Sequence, residues 1–423
     1  MVSTKNYQEL LDYINQLTII DTHEHLPVKE ENREKDTDIL REYLSHYFCR
    51  DLISAGLPAK QLDTLRDPRI DLTKRWEIAE PYWEPCRYTG YGRALDITVK
   101  KLYGIDKIDG NTITKLNNKF CATLKEGQYQ KVLKDLCRIE KSIVTSNEID
   151  YDKDFFRIAP YLDYFIRPDN VQVIKNIKNE FDMSISTFSD WLDACTMTID
   201  KYINHGAAAF KCGLAYRRSL HFKETAGAEA DKAFNEILKQ QHLPEATPLR
   251  VDRKFEDYMF HYILAYLNSK KFTIQIHTGL QEGNGNYITN SDPTLLTNLF
   301  LQYPSLYFDI FHISYPFQHL LAALAKNFPN VYIDMCWAHI ISPAAARSAL
   351  YEFLDSVPAS KISAFGGDYL FVDAVYGHKQ LAAENVAWVL SRKIKEKIFN
   401  MDVAKQIAYM LFYDTPAALF RLR

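Results

Sequence analysis

A chain of 423 residues that is 47% hydrophobic and 25% charged can bury a large core, and its length suits one α/β barrel or two to three smaller domains. A formal net charge of −3 leaves no basic footprint for nucleic acid, and 15 glycines against 27 tyrosines and 24 phenylalanines argue against disorder. Seven cysteines (49, 86, 121, 137, 195, 212 and 336) with no C-x-x-C spacing read as reduced thiols, not as a disulfide framework or a cysteine-type zinc site.

The chain opens on MVSTKNYQELLDYINQL, polar and amphipathic, without the apolar centre of a signal peptide. No apolar run reaches the length of a membrane span, so a cytoplasmic protein is expected, with a small-molecule partner and no membrane; a homo-oligomer stays open. LTIID (17–21) is the first strand pattern and runs into DTHEHL. Residues 27–140 then break the strand rhythm. The charged stretch KEENREKDTD (29–38) is followed by four helical patterns, which read as a helical insertion between the first two strands.

From residue 140 onward, strand patterns occur at 142–146, 155–162, 207–216, 272–280, 306–316, 330–340 and 361–370. Helical patterns alternate with them at 185–204, 229–240, 252–269, 294–302, 317–327, 343–356 and 380–397. Such alternation implies a parallel sheet, and eight strands are the number that closes a (β/α)8 TIM barrel. Strand counting alone also allows an open doubly wound sheet. The expected organisation is one barrel domain over 1–423, with 27–140 as a helical subdomain within it.

Polar residues interrupt the apolar strands near their carboxyl ends, where active sites form in parallel barrels. His23 and His25 share one face of the first strand, because strand side chains alternate. Lys211 lies on the fourth strand, His277 ends the fifth, His312 the sixth, and Asp368 the eighth after two glycines. Any one of these has a bland structural explanation. Together, several imidazoles and a carboxylate form a Zn²⁺-type donor set. His339 and His378 have no place in the pattern and read as structural.

The order His23-Glu24-His25, Lys211, His277, His312, Asp368 resembles the amidohydrolase superfamily, and within it a metal-dependent branch that includes FluG-type domains, with uronate isomerase as a cousin. The carrying stretches are DTHEHLP, FKCGLAYRR, IHTG, FHISYP and NVYIDMCW. The resemblance implies that His23, His25, His277 and Asp368 ligate one divalent metal, most plausibly zinc. A second metal would bring in His312 and a carboxylated, bridging Lys211; one metal is favoured.

By the same resemblance, the metal activates a water, Asp368 shuttles its proton, and His312 or Lys211 polarises the substrate carbonyl. Arg217 and Arg218, just past the fourth strand, are candidates for a substrate carboxylate, and Tyr216 for the pocket wall. The expected activity is metal-dependent hydrolysis of an amide, lactone or related bond in a small carboxylate-bearing substrate. The alternatives are uronate-type aldose–ketose isomerisation and metal-dependent decarboxylation.

Overall fold

The computed structural model describes residues 4–422, so the first three residues of the opening stretch lie outside the described residues. Helix α1 (Thr4–Gln16) leads into eight parallel strands: β1 (Ile19–Glu24), β2 (Ile139–Val144), β3 (Phe156–Ile158), β4 (Phe210–Cys212), β5 (Thr273–Ile276), β6 (Tyr307–Ile310), β7 (Val331–Asp334) and β8 (Ile362–Ser363). They pair in chain order as β1-β2-β3 and as β4 through β8.

Two seams close the ring. Between β3 and β4, the amides of Ala208 and Lys211 donate to Ile158 and Pro160, each at 2.9 Å. Between β8 and β1, Thr22 N donates to Phe365 O at 3.0 Å, and Asp368 N to His23 O at 2.8 Å. Closure leaves no free edge, which makes the fold an α/β TIM barrel and excludes the open sheet.

The barrel interior is more polar than the layers of branched aliphatics usual in this fold. Asp21, Gln275, Asp309, Asp334 and Ser363 are all buried there. They satisfy one another in part: Ser142 Oγ donates to Asp21 Oδ2 at 2.8 Å, and Gln275 Nε2 donates to Asp309 Oδ2 at 3.1 Å. Burial pushes Asp334 up to about 7 and Asp309 well above the carboxylate range. Burial and, for Asp309, the charge of Asp334 thus disfavour two ionised carboxylates side by side.

The helical patterns from 185 onward fall on helices, with the last one starting earlier than expected, at Asp373–Lys395. Among the helices that escaped the periodicity reading are Val171–Phe181 and Met401–Tyr409. Each is announced by an asparagine N-cap: Asn170 accepts from Val173 N at 3.3 Å, and Asn400 from Val403 N at 3.0 Å.

Between β1 and β2 the described chain contains helices and no strand: α2 (Ile39–Tyr43), α3 (Phe48–Ser54), α4 (Gln61–Leu65), α5 (Leu72–Cys86), α6 (Gly90–Tyr103) and α7 (Ile113–Cys121), then a π-helical turn at Gln130–Leu136. Arg75 and Trp76 serve its own core, 1% exposed, with Arg75 paired to Asp38. The segment grips the barrel through the helix Asp373–Lys395. A Cβ on Gly377 would lie 2.0 Å from Ala94 O of α6, so only glycine lets the two backbones meet. Tyr103 Oη donates to Asp373, as does Gln128 Nε2 at 2.8 Å.

This junction has a predicted pH dependence. Burial, reinforced by Asp373, pushes Glu42 from 4.5 up to about 7, against the opposing pull of Arg33 and Arg41. A raised carboxyl binds its proton more tightly folded than unfolded, so its contribution is full below about pH 4.5 and is lost as pH rises toward 7. Glu42→Gln should flatten that fall by on the order of 1–3 kcal/mol. Thermal unfolding of both proteins from pH 4 to 8 checks it, and parallel curves would contradict it.

Candidate active site

The buried strand β1 carries His23 near its carboxyl end and hands over to His25 one residue beyond. Asp368 reaches them along a loop that only glycine permits. A Cβ at Gly366 would lie 2.6 Å from Thr22 Oγ1, and one at Gly367 would lie 1.8 Å from Glu24 Oε1. Gly367→Ala should therefore cost about 1–3 kcal/mol by overpacking and displace Asp368. A denaturant titration reads the first effect and metal affinity the second; unchanged values for both would contradict this role.

Asp368, His312 and Trp337 all have positive φ, at 59°, 62° and 62°. Non-glycine residues held in this region mark places where the surrounding structure overrides local preference, and these three cluster at one end of the barrel.

The side chains converge. His23 Nε2 and His25 Nε2 are 3.2 Å apart, and Asp368 Oδ1 lies 3.4 and 3.1 Å from them. Asp368 Oδ2 lies 3.8 Å from His312 Nε2, which in turn is 3.1 Å from His277 Nδ1. Burial would raise Asp368, but His23, His25 and His312 together hold its carboxyl well below the usual range. Burial pushes His23 and His277 well below the histidine range and His312 to about 4, so all three imidazoles are neutral.

Neutrality fixes their protons. The far nitrogen of His277, Nε2, faces Leu280 O at 2.9 Å, and His312 Nδ1 faces Cys336 O at 2.9 Å. A carbonyl only accepts, so each of those nitrogens carries the single N–H of its ring. The nitrogens that face each other at 3.1 Å are then both bare lone pairs. Two lone pairs with no proton between them repel, and a cation resolves the conflict. The same tautomer leaves His312 no proton to offer a carbonyl, which argues against the polarising role expected for it.

Among the described residues, two sets of three donors have ligand atoms within 4.8 Å of one another: His23, His25 and Asp368, and His312, Cys336 and Asp368. His277 joins them through His312. Lys211 is buried beside the centre, and among the described residues its Nζ has no hydrogen-bond partner; Nζ lies 3.4 Å from the Phe311 ring centroid. Burial lowers it to about 8, opposed by Asp368, Cys336 and Asp309.

The three residues expected at the rim fare differently. Arg218 is not available to substrate. It is 5% exposed, with Nη1 2.8 Å from Glu256 Oε2 and Nη2 2.6 Å from Asp257 Oδ1; its other hydrogen bonds go to backbone carbonyls, and the guanidinium lies 4.2 Å from the Phe222 ring centroid. Its fork is spent on buried acids of the helix Arg253–Ser269. Arg217, by contrast, has a side chain 59% exposed and a 3.6 Å ion pair to Asp169. Tyr216 lays its ring 4.6 Å from that of His277.

The helical segment closes the opposite side. Arg50 Nε of α3 bonds Glu282 Oε1 at 2.7 Å, so the Gly/Asn loop after β5 is tethered across the mouth. Tyr47 stacks at 4.5 Å on Trp337, which meets His312 edge-on at 5.0 Å. Tyr47 was not foreseen, because helical periodicity does not say which loop of an insertion reaches the barrel; Trp337, three residues past β7, carries no polar interruption of its strand to mark it. Cys336 could have been found: it follows β7 by two residues, the offset that His312 has after β6. His339 and His378 are structural, as expected, bonding Ala364 O at 2.9 Å and Gly367 O at 3.0 Å.

With this geometry, residues 227–422 match the amidohydrolase family model. The carboxyl-terminal part of the chain, just under half of it, is thus similar to the amidohydrolases. Among curated proteins, the chain is 24% identical over 230 residues to protein FluG of Emericella nidulans, a match that covers 53% of this chain and 26% of the relative. It thus spans about a quarter of that protein's length. The uronate isomerase of Thermotoga maritima has the same fold at a TM-score of 0.80 and 14% identity, covering 99% of this chain and 98% of its own. A Lactobacillus casei protein proposed to be a metal-dependent hydrolase gives a TM-score of 0.66 at 17% identity, over 98% and 97% of the two chains. Among the described residues, no helix is long and apolar enough to cross a membrane.

Proposed function

We propose that this protein hydrolyses an amide, lactone or related bond in a small carboxylate-bearing substrate, using a divalent metal, zinc, held by His23, His25, His277 and Asp368. The observation that carries the reading is the pair of facing imidazole lone pairs, buried and without a proton between them. The fit is good on chemical grounds, since neutral imidazoles and a charged carboxylate are the donors zinc takes. When bound, such an ion acidifies water and polarises a carbonyl.

The chain's own groups supply the rest. Asp368 stays ionised, so it accepts the proton of the attacking water and passes it to the leaving group. Lys211 has an Nζ unpartnered among the described residues and, at about 8, carries its proton at neutral pH, so it donates to the oxygen on which charge develops. The tautomer of His312 turns that residue into a donor of electrons to a cation. Arg217 docks the substrate carboxylate at the rim, and residues 27–140 act as a helical cap that excludes water through Tyr47 and Trp337.

Isomerisation of a uronate is the second reading, favoured by the whole-length fold likeness to a uronate isomerase. A panel of N-acyl amino acids, lactones and uronates tests the two together. Hydrolysis of one class, abolished by a chelator and restored by a divalent ion, is the expected result. Ketose formation from a uronate, with no hydrolysis of the others, would replace the first reading with the second. Turnover unaffected by chelation would overturn both.

A further inference from the structure

Beyond the four expected ligands, we infer that Cys336 supplies a thiolate to a second cation position, completed by His312 Nε2 and Asp368 Oδ2 and sharing Asp368 with the His23–His25 set. The inference rests on the reading of the barrel mouth as a metal centre. Three observations carry it. The ligand atoms of His312, Cys336 and Asp368 lie within 4.8 Å of one another, and all three residues are buried.

Next, the two oxygens of Asp368 face different partners. Oδ1 faces His23 and His25 at 3.4 and 3.1 Å, and Oδ2 faces His312 at 3.8 Å. That is the disposition of a bridging carboxylate.

Finally, Cys336 is built into place. Its amide donates to Asp334 Oδ1 at 2.7 Å, and its carbonyl accepts the Nδ1–H that turns the lone pair of His312 inward. A Cβ on Gly366 would lie 2.9 Å from Cys336 Sγ, so the glycine leaves the room that the sulfur occupies. The backbone of one residue thus orients the imidazole while its side chain joins the same donor set.

A nitrogen, sulfur and oxygen triad with an open fourth position is the donor set of a tetrahedral zinc site, and its soft thiolate disfavours magnesium and manganese. Lys211 need not be carboxylated to bridge, because the carboxylate of Asp368 already does so.

Cobalt(II) is the probe. Full-length protein stripped with a chelator and titrated with Co²⁺ should develop a thiolate-to-cobalt charge-transfer band in the near ultraviolet. Cys336→Ser should lose that band and about one equivalent of cobalt, whereas the double variant His23→Ala/His25→Ala should keep the band. Cobalt bound without the band, or a band that survives Cys336→Ser, would overturn the inference and leave the metal-centre reading intact. No cobalt uptake at all would overturn that reading and this inference with it. Should Cys336→Ser fail to fold, X-ray absorption at the zinc edge of the wild-type protein decides, through the presence or absence of a sulfur neighbour at about 2.3 Å.

Discussion

Asp368→Asn is expected to lower kcat by about 10²–10⁴ while metal remains largely bound. The amide keeps the size of the side chain and an oxygen toward His23 and His25, which lie 3.4 and 3.1 Å from Oδ1. It loses the capacity to take a proton. The loop geometry should survive, because Asp368 is placed by the hydrogen bond that its backbone N–H donates to His23 O and by the two preceding glycines, none of which involves the carboxyl. The measurement is kcat alongside metal content on the same preparation. If kcat stays within a few-fold of wild type, Asp368 is not the proton shuttle, and the isomerase reading gains ground.

Arg218→Ala should destabilise the fold by about 3–5 kcal/mol, because it strands the buried Asp257 and takes from the buried Glu256 one of its two guanidinium partners. Arg167 still reaches Glu256, but the Asp257 pairing goes with Arg218. A urea titration measures the loss. Its neighbour separates structure from recognition. Arg217→Ala, at an exposed side chain, should leave stability unchanged and raise KM for acidic substrates by an amount worth about 2–4 kcal/mol, sparing a neutral analogue. Equal effects of the two substitutions on stability would show that neighbouring arginines play the same structural part.

The barrel was legible because each strand is a short apolar run bounded by helical periodicity, and because a polar residue marks the carboxyl end of most strands. His23, His25, His277, His312 and Asp368 were visible for that reason alone. The fate of the two arginines was not legible. Both follow the fourth strand, and only the packing of the helix Arg253–Ser269 decides that Arg218 turns inward to Glu256 and Asp257 while Arg217 turns out. The part taken by His312 was hidden for a different reason. Its tautomer depends on Cys336 O, a backbone carbonyl from another strand, and no residue spacing encodes that contact. The stacking of Tyr47 on Trp337 is likewise a tertiary contact, shared with Tyr91 of α6 at 5.3 Å from Tyr47, and no residue spacing encodes it.

Metal analysis of the purified protein tests the central claim most directly. Wild-type protein should carry at least about one equivalent of divalent metal per chain, and the double variant His23→Ala/His25→Ala should lose about one equivalent while remaining folded. A wild-type protein free of metal under metal-replete expression, or a double variant with the same metal content as wild type, would contradict the account.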